Sequence, residues 1–447
     1  MFDKTLKELK QLYPIALPAV LSQLAQMAMG VIDTVMAGHY SGEALAAIAV
    51  GSALLHPVLV FFLGLFLALN PTVAHLNGEE KYVKIGAFFR LSIVLAILFS
   101  PIAVYSLILS TSLFGMIGVD SGVAEIATGY LHAISWGMPV LLLFLALRFC
   151  NEGLFSTKAV MISTLLSIPF NILLNYWFMY GGYGIEAMGA VGVGYATSLV
   201  WLLMFLGLFA YTLITPKYHK MEILKHTILP KMSETGSLLI LGIPMAVTLW
   251  FEITMFAAVS LMIARYTPET IAAHQIAINI ASIFFMLPLG ISQAITARVG
   301  YFVGKKQVEN YLMAGYTGIG LTVVIMSISA SAMYFIPELM ISLYTNEVAI
   351  INIATGLLFY AAIFQFSDGL QVASVGALRG VKDTAIPMII TAISYWCVGF
   401  PIGYYLAEFK GHAAYGYWMG LIAGLSCAAI LLLRRWVVLS RGKLAKA

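Results

Sequence analysis

"LPAVLSQLAQMAMGVIDTVMAGHYSGEALAA", residues 17–47, lies without a gap over "IPMAVTLWFEITMFAAVSLMIARYTPETIAA", residues 243–273, when the chain is shifted by 226 positions. Pro18 falls on Pro244, Tyr40 on Tyr266 and Glu43 on Glu269. Further along, Gly64 falls on Gly290 and Gly78 on Gly304, and "IATGYL" at 126 meets "IATGLL" at 353 one residue out of step. One matching word is a chance event, but collinear matches over such a length are not. The chain is built from two copies of one unit.

Composition sets the medium in which those copies fold. Of 447 residues 61% are hydrophobic and 10% are charged, whereas a soluble chain carries about 25% charged residues. Too few polar groups exist to cover the surface, so the chain must use lipid as solvent. Apolar runs of roughly 20 or more residues, the length that crosses a bilayer, fall near 11–37, 45–75, 86–109, 123–148, 159–181, 189–214, 236–264, 271–303, 311–335, 348–377, 385–407 and 414–436. That is an all-α membrane protein of twelve transmembrane helices in two six-helix lobes. Prolines inside the spans, Pro57 and Pro288 among them, are able to kink them.

With the N-terminus placed inside, the cytoplasmic segments hold 22 of the 24 lysines and arginines, leaving Arg265 and Lys410 outside. So strong a bias puts both termini in the cytoplasm. Each six-helix half then inserts with the same orientation, so the lobes form a parallel repeat related by an axis along the membrane normal. The boundaries follow: an N-terminal lobe at 1–214, a basic cytoplasmic linker at 215–233 and a C-terminal lobe at 234–447. The first apolar run is too long for a cleavable signal peptide. The scattered Cys150, Cys397 and Cys427 show no metal-ligand or disulfide spacing and read as small core residues.

Charges placed within such spans carry the functional argument. Asp33, Glu252 and Asp368 sit in apolar runs, where a charged side chain costs about 2.5–3.5 kcal/mol at the bilayer centre. A carboxyl there can take up a proton or hold a cation. Ser22, Gln26 and Asp33 share one face of the first span, and Thr248 and Glu252 are four apart in the seventh. Glu252 occupies the repeat position of Gln26. Phe364, Asp368 and Gln371 lie on one side of the tenth span, and Asn171 and Asn175 are one turn apart in the fifth. Such polar stripes face a bundle interior or an aqueous cavity, although amides alone also serve as glue between helices. Gln23 and Ser367 read as packing residues. Phe284 and Phe285 are able to line a cavity for flat organic cations, and His56, His132 and His274 read as hydrogen-bonded core residues.

Enzyme chemistry finds little support. The chain has no His-Glu-x-x-His and no glycine-rich phosphate loop. "GISQ" around Ser292 lacks the glycine after the serine, and "GVID" and "FSDG" do not match a paired-aspartate protease.

The motifs "AQMAMGVIDTVMAG", "FEITMF", "AAHQIAIN", "FQFSDGLQVASVGALRGVKDT" and "IPFNILLNYW" resemble the NorM-type branch of the multidrug and toxic compound extrusion (MATE) family, over about residues 10–438. The resemblance implies two six-helix lobes around a V-shaped cavity, and export of cationic amphipathic drugs and dyes driven by inward sodium or proton flow. It implies that Asp33 is the N-lobe cavity aspartate with Asn171 and Asn175 as amide partners. It makes Glu252 and Asp368 the C-lobe acidic pair for the cation, a possible sodium site, with Phe285 nearby. One position departs. Where relatives often carry a tyrosine one turn before the helix 10 aspartate, this chain has Phe364, and a hydroxyl able to ligate sodium is missing.

The expectation is a bacterial inner-membrane, multi-pass antiporter that needs no cofactor beyond its coupling ion. It would work as a monomer in contact with lipid, on small cationic molecules and not on nucleic acid. A lipid-linked-precursor flippase of the same superfamily would need a cationic cavity, and the spans hold almost no basic residues. A receptor or channel without coupled transport would not need acids distributed unequally over a duplicated fold.

Overall fold

A backbone in lipid must close its hydrogen bonds internally, and long apolar runs do so as helices. The computed structural model describes residues 2–182, 184–225 and 229–444, so part of the linker, at 226–228, and both chain ends lie outside the described residues. Among the described residues eleven helices are long and apolar enough to cross a membrane: α1 (Asp3–Tyr40), α2 (Gly42–Gly78), α3 (Tyr82–Met116), α5 (Thr157–Tyr180), α6 (Ala190–Ile214), α7 (Met232–Ile263), α8 (Pro268–Gly304), α9 (Val308–Phe335), α10 (Val348–Gly380), α11 (Ala385–Phe409) and α12 (Ala413–Gly442). The remaining crossing, α4, is a pair, Ser121–Ser135 and Met138–Gly153, bent by 49° at its break. Exposed leucines and isoleucines such as Leu98, Leu166 and Leu173 face outward, as a surface solvated by lipid requires. Cys150 is core, but Cys397 is on the outside.

The duplication is visible at the level of individual contacts. Ser41 caps α2 by accepting from the Ala44 N–H at 3.0 Å, and Thr267, 226 positions on, caps α8 by accepting from Thr270 at 3.3 Å. Glu80 and Lys306 both adopt a φ of 58°, and Phe155 and Lys382 have φ of 60° and 62°. Gly64 lies so close to the backbone of Ala246 that a Cβ has no room, and Gly290 meets Val20 in the same way. Gly153 presses on Asn70 and Val73, as Gly380 does on Thr296 and Val299.

The chain divides into two compact units, Leu24–Ala246 and Met1–Gln23 with Val247–Ala447. The division falls inside α1 and α7. In the first unit the initial half of α7 packs on α2 through Ala246 and Gly64; in the second, the initial half of α1 packs on α8 through Val20 and Gly290. Arg298 binds that half-helix, donating to both carboxylate oxygens of buried Glu8 at 2.8 and 2.6 Å and to Gln11 at 2.6 Å.

In α11 the helix loosens. Two π-helical segments, Ile393–Gly399 and Tyr405–Phe409, flank one ordinary turn. There Gly399 and Gly403 let the backbone approach Gly420 and Gly424 of α12. A π segment inserts an extra residue per turn, is rare, and is frequent at functional sites.

Candidate functional site

In the unit Leu24–Ala246 the acid is Asp33, on α1. Asn171 and Asn175 of α5, one turn apart, donate to its Oδ1 at 2.9 and 2.6 Å, and the Thr197 hydroxyl of α6 donates to Oδ2 at 3.3 Å. Three neutral donors satisfy the carboxylate while leaving its negative charge uncancelled. Both amide oxygens, of Asn171 and Asn175, are buried without a hydrogen-bond partner among the described residues. They are acceptors without a donor, which suits a positive guest.

Gln26 is one polar step further along the same helix. Its Oε1 accepts from Arg148 of α4 at 3.0 Å, and Arg148 also donates to Glu152 at 2.8 Å. Both members of this pair are buried, and Asn70 approaches the other Glu152 oxygen at 3.5 Å. Arg148 and Glu152 cancel each other's charge, so the net charge of this interior stays with Asp33.

The other unit holds a different cluster. Asp368 of α10 is 2% exposed, and its Oδ1 is buried with no hydrogen-bond partner. Glu252 of α7 lies close enough to Asp368 for the two carboxyls to repel, and Arg379 of α10 interacts electrostatically with Glu252. Tyr395, in the first π segment of α11, is buried and near both acids; its hydroxyl donates to Gln371 Oε1 at 2.6 Å. Glu252, Asp368 and Gln371, singled out in the sequence, are thus brought together. The orphaned carboxyl oxygen and a tyrosine oxygen with free lone pairs fit a small cation.

Phe364 lies one turn before Asp368 on α10, and its ring meets Phe256, one turn after Glu252 on α7. Phe364 is 2% exposed in an aromatic cluster, 5.8 Å from Phe256 and 6.1 Å from Trp418 by ring centroid. Phe285 is half-buried on α8, and no ring or polar contact joins it to the acids among the described residues. His274 is a core residue as its sequence context implied: the Trp418 indole donates to Nδ1 at 3.2 Å, so Nε2 carries the proton toward Ser260 Oγ at 3.0 Å.

Arg148, Glu152, Thr197, Arg379 and Tyr395 were not foreseen. The spans therefore hold more basic residues than the apolar pattern suggested, since Arg148, Arg298 and Arg379 are all buried. Arg148 and Glu152 did carry a signal, the i,i+4 spacing of an ion pair. Arg379 sits three full turns after Asp368. Nothing in the sequence announces the π segment that places Tyr395.

Duplicated six-helix units with polar interiors of this kind define a membrane transport fold, and the chain belongs to the MatE family, the multidrug and toxic compound extrusion proteins. The family's sequence model matches residues 18–177 and 244–405, one block in each copy of the repeat. The chain is 37% identical to the multidrug resistance protein NorM of Aliivibrio fischeri over 439 residues, covering 97% of this chain and 95% of that one. It is 38% identical to the multidrug resistance protein MdtK of Yersinia pseudotuberculosis, covering 97% and 96%. The fold is shared with the eukaryotic MATE transporter AtDTX14, at a TM-score of 0.89 and 20% identity over 99% of both chains. An outward-facing multidrug resistance MATE transporter of the MOP superfamily matches at 0.90 and 18% identity, over 98% of this chain and 96% of that one.

Proposed function

We propose that this protein exports cationic amphipathic compounds, drugs and dyes among them, in exchange for sodium ions or protons by alternating access. It would do so as a monomer in the bacterial inner membrane, with both termini cytoplasmic and the sequence arranged as repeats 1–214 and 234–447 joined by the linker 215–233. The relatives' names, multidrug resistance proteins, support drugs as the exported compounds. The single observation that carries the mechanism is the buried Asp368 carboxyl beside Glu252, unsatisfied by any described donor. A buried polar group left without a partner is costly, and an arriving cation removes that cost.

Binding of the ion at Glu252 and Asp368 favours one arrangement of the lobes; binding of the cationic compound near Asp33 favours the other. Gln26, Asn171 and Asn175 orient the Asp33 end, and Gln371, held by Tyr395, orients the other. Phe285 contributes apolar surface, and Phe364 packs apolar bulk beside the acidic pair. If sodium is the ion, the two carboxylates and the Tyr395 oxygen supply its ligands.

A flippase for anionic phosphates is less well supported, because Glu152 cancels Arg148 and Glu8 cancels Arg298. Ethidium efflux from cells expressing Glu252→Gln or Asp368→Asn tests the reading. Both variants should lose export at normal expression; normal efflux by both removes this acidic pair from the mechanism.

A further inference from the structure

Three arginines are buried in the helical interior, and two of them meet a carboxylate. Arg148 is held by Glu152 and Arg298 by Glu8. Arg379 differs. It is 6% exposed, and no hydrogen-bond acceptor reaches its guanidinium among the described residues. An arginine near the cytoplasmic end of a helix is ordinarily an anchor with a solvated head, or a partner for the last carbonyls. Arg379 is largely buried and is bonded to no described carbonyl.

Leaving a buried ion without partners costs several kcal/mol, so its place must answer another charge. Arg379 follows Asp368 by eleven residues, three turns, and so shares its face of α10. Long helical side chains point back toward the N-terminus, which carries the guanidinium toward the level of the acids. The charge it meets there is that of Glu252. In the repeat, Arg379 occupies the position of Glu152, as the matched glycines Gly153 and Gly380 fix. One copy of the fold places a carboxylate there to cancel Arg148; the other places a cation against Glu252.

We propose that Arg379 is the fixed counter-charge of this site: with Glu252 and Asp368 ionised, it leaves the cluster a single negative charge, so the site accepts one monovalent cation and rejects a divalent one. The inference rests on the reading that Glu252 and Asp368 hold the coupling ion. Without the ion, Glu252 leans on Arg379, and an arriving cation competes with the guanidinium.

The test uses the full chain in proteoliposomes exchanging ethidium, a monovalent cation, against whichever of sodium or protons drives it. The membrane potential is clamped with potassium and valinomycin. The parent should exchange one ion per ethidium, so its rate is independent of potential. R379Q should approach two ions per ethidium, accelerate at inside-negative potential and become sensitive to calcium, while R379K behaves as the parent. An R379Q exchanger that stays electroneutral and indifferent to calcium overturns the proposal. E252Q and D368N are measured alongside. Loss of exchange in both with R379Q unchanged overturns the counter-charge alone, whereas normal exchange in both overturns the ion site and the counter-charge with it. Should R379Q fail to fold, the thermal stability of E252Q/R379Q decides. Recovery to the stability of E252Q supports charge balance; a double variant that likewise fails to fold means that Arg379 acts through packing and overturns the proposal.

Discussion

Asp368→Asn isolates what an unsatisfied buried carboxyl does to this fold. The side chain is 2% exposed, and its Oδ1 has no hydrogen-bond partner while Glu252 repels it. A buried ion without compensation carries a penalty of several kcal/mol. A neutral amide in the same place leaves polar atoms unmatched at about 1–3 kcal/mol. The variant should therefore be more stable than the parent by at least ~1 kcal/mol in alkaline, ion-free detergent. Adding the coupling ion should reverse the order. At a hundredfold excess over its Kd a ligand contributes about 2.7 kcal/mol to the state that binds it, and the variant gains none of it. Ethidium exchange should fall to background, because the variant cannot form the ion-bound state. Thermal unfolding with the ion titrated, beside exchange in proteoliposomes, reads both effects. If Asp368→Asn is less stable than the parent without the ion, the carboxyl is a structural partner, and the case for a cation site built on its orphaned oxygen collapses.

Asp33→Asn should lower ethidium efflux more than Asn171→Ala or Asn175→Ala, because each amide supplies one of three hydrogen bonds to the carboxylate, worth about 1.5–3 kcal/mol apiece at most; a larger loss in either asparagine variant reverses the roles. Phe364→Tyr should lower the melting temperature by the equivalent of ~1–3 kcal/mol, since its hydroxyl enters a ring cluster with Phe256 and Trp418. The sodium response of that variant should not change, and a strengthened one would put the hydroxyl among the acids. Gly64→Ala and Gly290→Ala should each destabilise by ~1–3 kcal/mol through the backbone contacts they force apart. Loss in only one of the two, measured by thermal unfolding, would show that the repeated contacts are not equivalent.

The twelve crossings and the duplication were legible because they rest on quantities a sequence carries directly, apolar length and collinear identity. Asp33, Glu252 and Asp368 stood out because a charge in an apolar run is costly whatever surrounds it. Asn171 and Asn175 stood out as a stripe by their one-turn spacing, whereas their pairing with Asp33 was implied only by the family resemblance. Thr197 did not stand out, because a lone hydroxyl satisfies its own helix as readily as a distant carboxylate. Arg148 and Glu152 were hidden by the sequence reading that ended the fourth span at Arg148, although the structure carries the helix on to Gly153. Tyr395 lies in a π segment, which shifts the angular register by an extra residue and defeats any face computed at 3.6 residues per turn. Phe285 and Phe364 show a further limit. An aromatic side chain suits lipid, core and cavity equally, and only packing decides among them.

The two copies share their scaffold and differ in their charges, and the differences fall at equivalent positions. Gln26 in one copy is Glu252 in the other, and Glu152 is replaced by Arg379. Shared caps, left-handed turns and glycine contacts show that the backbone around these positions was kept. In the first copy the pair Arg148–Glu152 is neutral and Asp33, held by three donors, carries the charge. In the second, two acids face one arginine and none is satisfied by a described hydrogen bond. With their acids ionised, both interiors carry one net negative charge, but one carboxylate is held by three hydrogen-bond donors and the other pair by none that is described. The saturated carboxylate suits a large, weakly hydrated organic cation, which needs charge without close ligation. The unsatisfied pair suits a small ion that must be given oxygens to replace its water. Exchange between the two classes of cation then needs no difference in fold between the lobes, only a few substitutions on a duplicated frame.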